Sequence, residues 1–207
     1  MIAGLRVLLR GLNSVRLNGY AYIWANIAFI ALSLPVITMP AAYSALVKVA
    51  HIAQTEPSEA DLATFWETFR ANLLRSLPWG IANVIFAYIS FSNLTAYNDA
   101  DGTLVSVLRI FWYASLIIWA GTLLYTWSIF YEMEHPHLWT ALKNALIMIF
   151  YNPIFTLTIL AGIVVISVIS TALVALWMLL TFSTIAAVGT AAVLDRLAVY
   201  RATRGAA

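Results

Sequence analysis

Residues 33–51, SLPVITMPAAYSALVKVAH, place two prolines, Pro35 and Pro40, inside a strongly apolar segment. A proline inside a helix removes one backbone hydrogen bond and clashes with the preceding turn, which costs about 3 kcal/mol. The segment is therefore either one membrane helix with a kink or two shorter helices that enter and leave on the same side. Proline is a common cause of kinks, so a single kinked span is the favoured prediction and the returning segment is the alternative.

The composition of the chain is that of a membrane protein. Of its 207 residues, 63% are hydrophobic and 10% are charged, against about 45–50% and about 25% in ordinary globular domains. Residues 1–207 are therefore predicted to form one all-α membrane domain. The net charge of +2 is too small to indicate a nucleic-acid partner. The absence of cysteine excludes disulfides and thiol catalysis.

Five apolar segments are candidates to cross a bilayer. A helix rises about 1.5 Å per residue, so about 20 residues span a hydrocarbon core of about 30 Å. The predicted spans are residues 20–47, 77–97, 104–131, 154–177 and 180–200. The last two form one almost continuous apolar run, so they are predicted to be a hairpin with its turn near residues 177–184. The expected fold is a multi-pass transmembrane helical bundle.

Two or three amphipathic helices are expected at the membrane interface in addition to the spans. In residues 1–19 the apolar side chains recur at helical spacing and the arginines lie away from them, as in a helix lying on a membrane. The three apolar stripes are Ile2, Leu5, Leu9 and Leu12; Leu62, Phe65, Trp66, Phe69 and Leu73; and Leu138, Leu142, Ala145 and Ile149.

The second and third of these helices indicate a weak duplication. FWETFRANLL, residues 65–74, is similar to LWTALKNALI, residues 138–147, and each is followed by a proline, Pro78 or Pro153, that opens the next apolar segment. Proline is tolerated in a first helical turn. The predicted order is a span, a surface helix and a second span, with this group of three occurring twice and followed by a fifth span. The candidate contacts for a protein partner on the surface helices are Phe65, Trp66, Phe69, Arg70, Trp139 and Lys143.

Small residues on the fifth span predict close helix packing. Ser183, Ala187 and Ala191 recur every four residues. Small side chains let two helix backbones approach closely inside a bilayer, where no hydrophobic driving force brings helices together. This face is therefore predicted to contact another helix.

The basic residues predict that the surface-helix loops and the C-terminus are cytoplasmic, because lysine and arginine concentrate in cytoplasmic loops. With a single kinked first span, seven of the 11 basic residues lie on that side. If the first segment instead returns, the three N-terminal arginines join them and Arg109 alone lies opposite. The expected location is the bacterial plasma membrane.

The broken segment and the helix that follows it resemble the YesL-like family of bacterial membrane proteins. In that family a Ser-Leu-Pro-Val-Val-Thr type motif and a Gly-Pro pair precede a helix bearing a tyrosine and a short, aromatic and basic surface helix. The matching residues are Ser33, Leu34, Pro35, Val36, Thr38, Pro40 and Tyr43. Met39 stands where the family has glycine, which implies a different bend. The specific motifs cover about residues 20–77.

The resemblance implies a helper role in carbohydrate uptake or its regulation. Members of the YesL-like family are often encoded beside carbohydrate-uptake systems. This expectation comes from the resemblance alone.

No constellation of residues predicts an enzyme, a cofactor or a metal site. A metal needs three or four converging ligands. The densest group of candidates, in YEMEHPH (residues 131–137), is Glu132, Glu134, His135 and His137. Pro136 interrupts regular helix there, so a solvated loop is predicted. His51, alone after the first apolar segment, is predicted to be interfacial.

Two functions remain open at this stage. The first is a non-enzymatic accessory or structural subunit of a larger membrane complex, in contact with lipids and with other subunits or copies of itself. The second is a small transporter or channel for an uncharged solute, since transporters often use repeats and broken helices at their sites. Under that alternative the kink and path residues are Asn26, Ser33, Pro35, Thr38, Pro40 and Tyr43.

Overall fold

The computed structural model describes residues 2–98 and 101–205. These residues form nine α-helices and no strand, which confirms the all-α prediction. The helices are α1 Ile2–Leu17, α2 Gly19–Ser33, α3 Met39–Thr55, α4 Leu62–Asn72, α5 Leu77–Ala96, α6 Thr103–Tyr131, α7 Leu138–Tyr151, α8 Pro153–Ala172 and α9 Phe182–Gly205.

Five helical stretches in the described residues are long and apolar enough to cross a bilayer, as predicted. They are Val36–Thr55, Leu77–Ala96, Thr103–Tyr131, Pro153–Ala172 and Trp177–Thr203. The turn between the last two is at residues 173–176, earlier than the predicted 177–184. Residues Trp177–Thr181 form a π-helix that leads directly into α9.

The first apolar segment is an antiparallel hairpin, and the prediction of one kinked span over residues 20–47 is wrong. The side-chain amide of Asn18 donates to the Ala53 carbonyl at 3.2 Å, and the Tyr22 hydroxyl donates to the Ala50 carbonyl at 3.5 Å. The start of α2 therefore lies beside the end of α3. The alternative, a segment that returns to the side from which it came, describes the structure.

The two prolines have different roles in this hairpin. Pro35 has an extended backbone (φ −81°, ψ 90°) and lies just after α2 ends. Pro40 occupies the first turn of α3, where its missing N–H has no intrahelical partner. Between them the Thr38 hydroxyl donates to the carbonyls of Leu32 and Pro35. One proline ends a helix, the next begins one, and Thr38 satisfies the backbone between them.

The chain consists of three similar units. Each unit has an amphipathic helix, then an outgoing apolar helix, then a return helix: α1–α2–α3, α4–α5–α6 and α7–α8–α9. The three return helices pack on one another in the centre. The Tyr43 hydroxyl of α3 donates to the Leu123 carbonyl of α6 at 3.2 Å. Ser128 of α6 and Thr190 of α9 share a hydrogen bond of 3.2 Å.

Each amphipathic helix packs on the return helix of the unit before it. Asn72 of α4 donates to the Ser44 hydroxyl of α3 at 3.3 Å. Ile149 of α7 lies against Gly121 of α6. In the first unit, Gly11 of α1 lies against Val188 of α9, so the end of the chain closes the arrangement. The sequence predicted span, surface helix and span twice over plus a fifth span, whereas the structure has an amphipathic helix followed by two apolar helices three times.

α1 is packed against the bundle along a face that the sequence did not single out. Its buried residues are Gly4, Val7, Leu8, Gly11, Ser14 and Val15. The predicted stripe of Ile2, Leu5, Leu9 and Leu12 is exposed instead. Those side chains are free to contact lipid while the opposite face binds α8 and α9.

Single cysteine substitutions in this cysteine-free chain test whether α2 and α3 enter and leave the membrane on the same side. Arg16 lies in the last turn of α1, Glu59 between α3 and α4, and Asp101 between α5 and α6, and all three side chains are exposed. We expect Arg16→Cys and Glu59→Cys to react with a membrane-impermeant maleimide from one side, and Asp101→Cys from the other. Labelling of Arg16→Cys from the same side as Asp101→Cys would contradict the hairpin.

The contact between α1 and α9 predicts a cost for any side chain at Gly11. A Cβ there would lie 2.8 Å from the Val188 Cα, which is backbone and cannot move aside cheaply. We expect Gly11→Ala to lower the free energy of unfolding by about 1–3 kcal/mol, measured as a lower Tm in detergent. Gly19→Ala is the matched control, because no atom lies within 4 Å of its added Cβ. An equal effect of both substitutions would refute the close crossing.

Candidate functional site

An apolar cleft of about 510 Å³ lies between the tip of the α2–α3 hairpin and helices α5, α6, α8 and α9. Each of the three units contributes to its walls, and nearly all of the lining is apolar. This volume falls within the range of about 300–1,000 Å³ found for small-molecule sites. The cleft is therefore the first candidate for a binding site.

Few polar groups face this cleft. The Tyr43 hydroxyl already donates to the Leu123 carbonyl, and the Tyr43 ring stacks on Trp79 with centroids 6.0 Å apart. The Asn83 amide donates to the Trp79 carbonyl at 2.7 Å, whereas its Oδ1 is buried and has no protein partner. The Asn83 oxygen is thus an unpaired acceptor beside the cleft, with almost no surface that a guest molecule could reach.

The six predicted kink and path residues do not share one site. Pro40 and Tyr43 line the cleft. Pro35 and Thr38 form the tip of the hairpin, and the Ser33 hydroxyl donates to the Phe29 carbonyl within α2.

Asn26, the remaining path residue, is fully buried and links two units. Its amide donates to the carbonyls of Trp177 and Met178, both at 2.9 Å, and its oxygen accepts from the Ser183 N–H at 3.0 Å. Asn26 therefore satisfies the backbone where the π-helix leads into α9.

The predicted contact residues divide into buried and exposed groups. Ser183, Ala187 and Ala191 are fully buried between helices, and the Ser183 hydroxyl donates to the Tyr22 carbonyl at 2.7 Å. Phe65 and Phe69 are also buried, against the neighbouring helix α3, so their assignment as partner contacts is wrong. The spacing of an amphipathic helix cannot tell which apolar residues face its own bundle. The exposed candidates are Trp66, Arg70, Trp139 and Lys143.

An ionic cluster joins the ends of the three return helices. Glu132 follows the last residue of α6; its Oε1 is 2.9 Å from Nε2 of His51 in α3, and its Oε2 is 2.9 Å from a guanidinium nitrogen of Arg201 in α9. The Glu132 side chain is 13% exposed and that of His51 10%. The prediction of a solvated Glu132 is therefore wrong, because its partners are distant in sequence and meet it only in the folded chain. His51, predicted to be interfacial, is largely buried within the protein in the last part of α3.

Opposing effects act on the pKa of Glu132. Burial raises the pKa of a carboxyl group, but the hydrogen bonds from His51 and Arg201 and their charges outweigh it, so the pKa of Glu132 lies below its usual value. The remaining ionisable residues of this loop, Glu134, His135 and His137, are exposed. Among the described residues no three His, Asp or Glu side chains converge as metal ligands would.

Several residues at the cleft have no distinguishing signal in the sequence. Trp79, Asn83 and Ala87 lie on one face of α5, and Trp119 of α6 stacks on Phe86 with centroids 4.4 Å apart. A face of this composition is equally compatible with lipid contact. Only the packing of the three units shows that it borders a cleft.

The fold is that of a multi-pass helical membrane protein, with five stretches able to cross a bilayer. Residues 22–94 match the model of a family described as Protein of unknown function, DUF624. The match covers less than half of the chain and includes the broken segment, residues 33–51, and helix α4. A search of the curated proteins found no match, and a search of the solved structures found none either.

The Glu132 cluster predicts a pH-dependent contribution to stability. We expect Glu132→Gln to lower the free energy of unfolding by about 1–3 kcal/mol near neutral pH, because it removes charge-assisted hydrogen bonds. The native carboxylate stabilises the fold above the unfolded pKa of about 4.3 and loses that effect as the pH falls through its lower folded pKa. The difference in Tm from wild type should therefore shrink toward zero in acid.

The exposed neighbour Glu134 provides the control for this experiment. Glu134→Gln removes the same charge from the same loop without removing a bond to His51 or Arg201. We expect its Tm to equal that of wild type over the whole pH range. A difference for Glu132→Gln that persists unchanged in acid would show that the carboxylate charge is not what stabilises this junction.

Proposed function

We propose that this protein is a non-enzymatic accessory subunit of a larger complex in the bacterial plasma membrane. The observation that carries the proposal is the combination of low hydropathy and high exposure in helix α5. It has the lowest mean hydropathy of the five candidate spans, yet only 11% of it is buried within the chain. A helix surrounded by lipid is expected to be strongly apolar. The lower hydropathy of α5, together with its exposure, therefore favours contact with another protein.

The length of the α5–α6 hairpin supports the same proposal. Gly80, in the first turn of α5, lies against Pro40 at the tip of the α2–α3 hairpin. From Gly80 to Ala96, α5 continues for about 24 Å, past that tip. Tyr88 and Phe91 on this part are each 72% exposed. The hairpin thus presents a long surface to a neighbour.

Polar side chains on α5 suit contact with a second helix. Asn93 and Thr95 each donate to the carbonyl four residues earlier, and both are at least partly exposed. Polar side chains act across helix interfaces in membranes, where lipid cannot replace their hydrogen bonds. α8 contrasts with this, since it has the highest mean hydropathy of the five.

The proposed orientation follows from the basic residues. In the described part of the chain, the lysines and arginines other than Arg109 lie on the amphipathic helices, in the α4–α5 connection (Arg75) and in the C-terminal halves of α3 and α9. The side chain of Arg204, counted with them in the sequence, lies outside the described residues. The positive-inside rule favours a cytoplasmic location for that end. The α2–α3 hairpin then leaves α1 on the cytoplasmic side as well.

A link to carbohydrate uptake is the finer part of the proposal. It rests on the resemblance of residues 33–43 to the YesL-like family and is compatible with the DUF624 match over residues 22–94. We infer that the larger complex is a carbohydrate-uptake system or a regulator of one.

The alternative of a small solute transporter has less support. An uncharged hydrophilic solute needs several convergent polar groups, whereas nearly all of the cleft lining is apolar and the unpaired oxygen of Asn83 is buried. The alanines that face the core from α3 and α9 are fully or almost fully buried, and Gly189 of α9 lies against Leu124 of α6, so the return helices pack directly on one another. Asn26, Ser33 and Thr38 bond to the protein backbone.

Purification in mild detergent, with mass spectrometry of the proteins that co-purify, tests the accessory role. We expect one stoichiometric membrane partner with wild type and several-fold less with Asn93→Leu, because leucine keeps the helix apolar but cannot hydrogen-bond to a partner. Thr171→Leu on α8 is the control, since it removes a similar bond to the carbonyl four residues earlier. Recovery of the wild type alone, or equal loss with both variants, would overturn the proposal.

A further inference from the structure

A second cleft, of about 350 Å³, lies where α5 and α7 begin. Its lining combines two chemical characters. Arg75 and His137 provide nitrogen donors at the rim. The seven other lining residues are apolar or aromatic: Pro78, Trp79, Ala82, Trp119, Leu138, Trp139 and Leu142. No carboxylate lines this cleft, so nothing in its walls neutralises Arg75.

The Arg75 guanidinium is held in place without an acidic partner. It lies 5.9 Å from the centroid of the Phe130 ring, a cation–π contact. Among the ion pairs of the described residues none includes Arg75. Arginine matches the geometry of phosphate oxygens through two parallel N–H donors. The rim therefore presents an exposed cation, beside a histidine, to an anionic group.

The aromatic floor of the cleft is fixed by its own neighbours. Trp79 stacks on Tyr43 and meets Trp127 edge-on at 5.9 Å, and Trp119 stacks on Phe86. Trp139 is 70% exposed beside them. Tryptophan is enriched at the level of lipid headgroups, because its ring is apolar and its N–H is polar. The position and composition of the floor suit a hydrocarbon chain that lies directly below a headgroup.

We propose that this cleft binds an anionic phospholipid, with its phosphate at Arg75 and His137 and its acyl chain along Trp79, Ala82 and Trp119. A freely soluble phosphate would use the rim but would leave the apolar floor uncovered. A zwitterionic lipid would bring its own cation close to Arg75. The preferred ligand is therefore a lipid with a net negative headgroup. This inference stands independently of the accessory role.

Native mass spectrometry of the delipidated full-length protein measures the binding. The probes are dioleoylphosphatidylglycerol and dioleoylphosphatidylcholine, which share their chains and differ in headgroup charge. We expect one molecule of the anionic lipid to bind in preference to the zwitterionic one. Arg75→Gln should weaken that binding about tenfold, as expected for the loss of one charge-assisted bond of about 1.4 kcal/mol. Arg75→Lys should retain part of it.

Matched variants separate this site from general charge attraction. Arg70→Gln removes the same charge from an exposed position on α4 that does not line the cleft, and it should leave the affinity unchanged. Ala82→Trp should fill the apolar part and weaken lipid binding although Arg75 is intact. The Tm of each variant in detergent checks that it is folded.

Three results would overturn the proposal. One is equal weakening by Arg70→Gln and Arg75→Gln, which would mean general attraction to the basic end of the molecule. A second is equal affinity for the two lipids, or unchanged affinity in Ala82→Trp. A third is displacement of the anionic lipid by glycerol phosphate at the same concentration as the lipid itself, which would identify a site for a soluble anion.

Discussion

In a bilayer every backbone N–H and carbonyl needs a partner within the protein, and this requirement shapes the hairpin on which the remaining structure depends. The chain breaks at two apolar places, the proline-bounded tip of α2–α3 and the π-helix before α9. At the first break the Thr38 hydroxyl donates a hydrogen bond to the Pro35 carbonyl. At the second, the Asn26 side chain donates to the Trp177 carbonyl, 151 residues away in sequence. The hydrogen bonds of Asn26 therefore have two effects. They give partners to backbone groups of the π-helix, and they join α2 of the first unit to the start of α9 in the last unit.

The opposite end of the bundle is held by charge. The Glu132 carboxylate, at the end of α6, binds His51 of α3 through one oxygen and Arg201 of α9 through the other. A single carboxylate thus connects all three return helices. Between the two ends α3 and α9 contribute mainly alanine and valine, and these small residues permit close approach of backbones. α6 fills the space beside them with large side chains such as Tyr125 and Trp127. Hydrogen bonds at one end and ion pairs at the other thus define the register of this core.

The units have different outer parts although they share this core. The α2–α3 hairpin is short and ends beside Gly80, whereas α5–α6 continues well past it with few contacts to the remainder of the chain. This inequality leaves two clefts against α5, one apolar and one with Arg75 at its rim, with Trp79 and Trp119 lining both. The surfaces that suit binding therefore lie where the pseudo-threefold arrangement is least regular.

Local patterns were enough to predict the last four spans, the three amphipathic segments and an interruption between Pro35 and Pro40, because these depend on residues close together in the chain. The same patterns favoured one kinked span over residues 20–47, where the structure has the two helices α2 and α3. The partners of each face could not be predicted that way. Nothing near Phe65 distinguishes burial against α3 from exposure. The packing face of α1 is hard to find in the sequence because three of its six buried residues, Gly4, Gly11 and Ser14, are not large apolar side chains. By itself the sequence determined an all-helical membrane chain with a broken first segment. The tertiary structure decided the direction of α3, the third unit, the Glu132 junction and both clefts, because each depends on contacts between helices that only the packed bundle brings together.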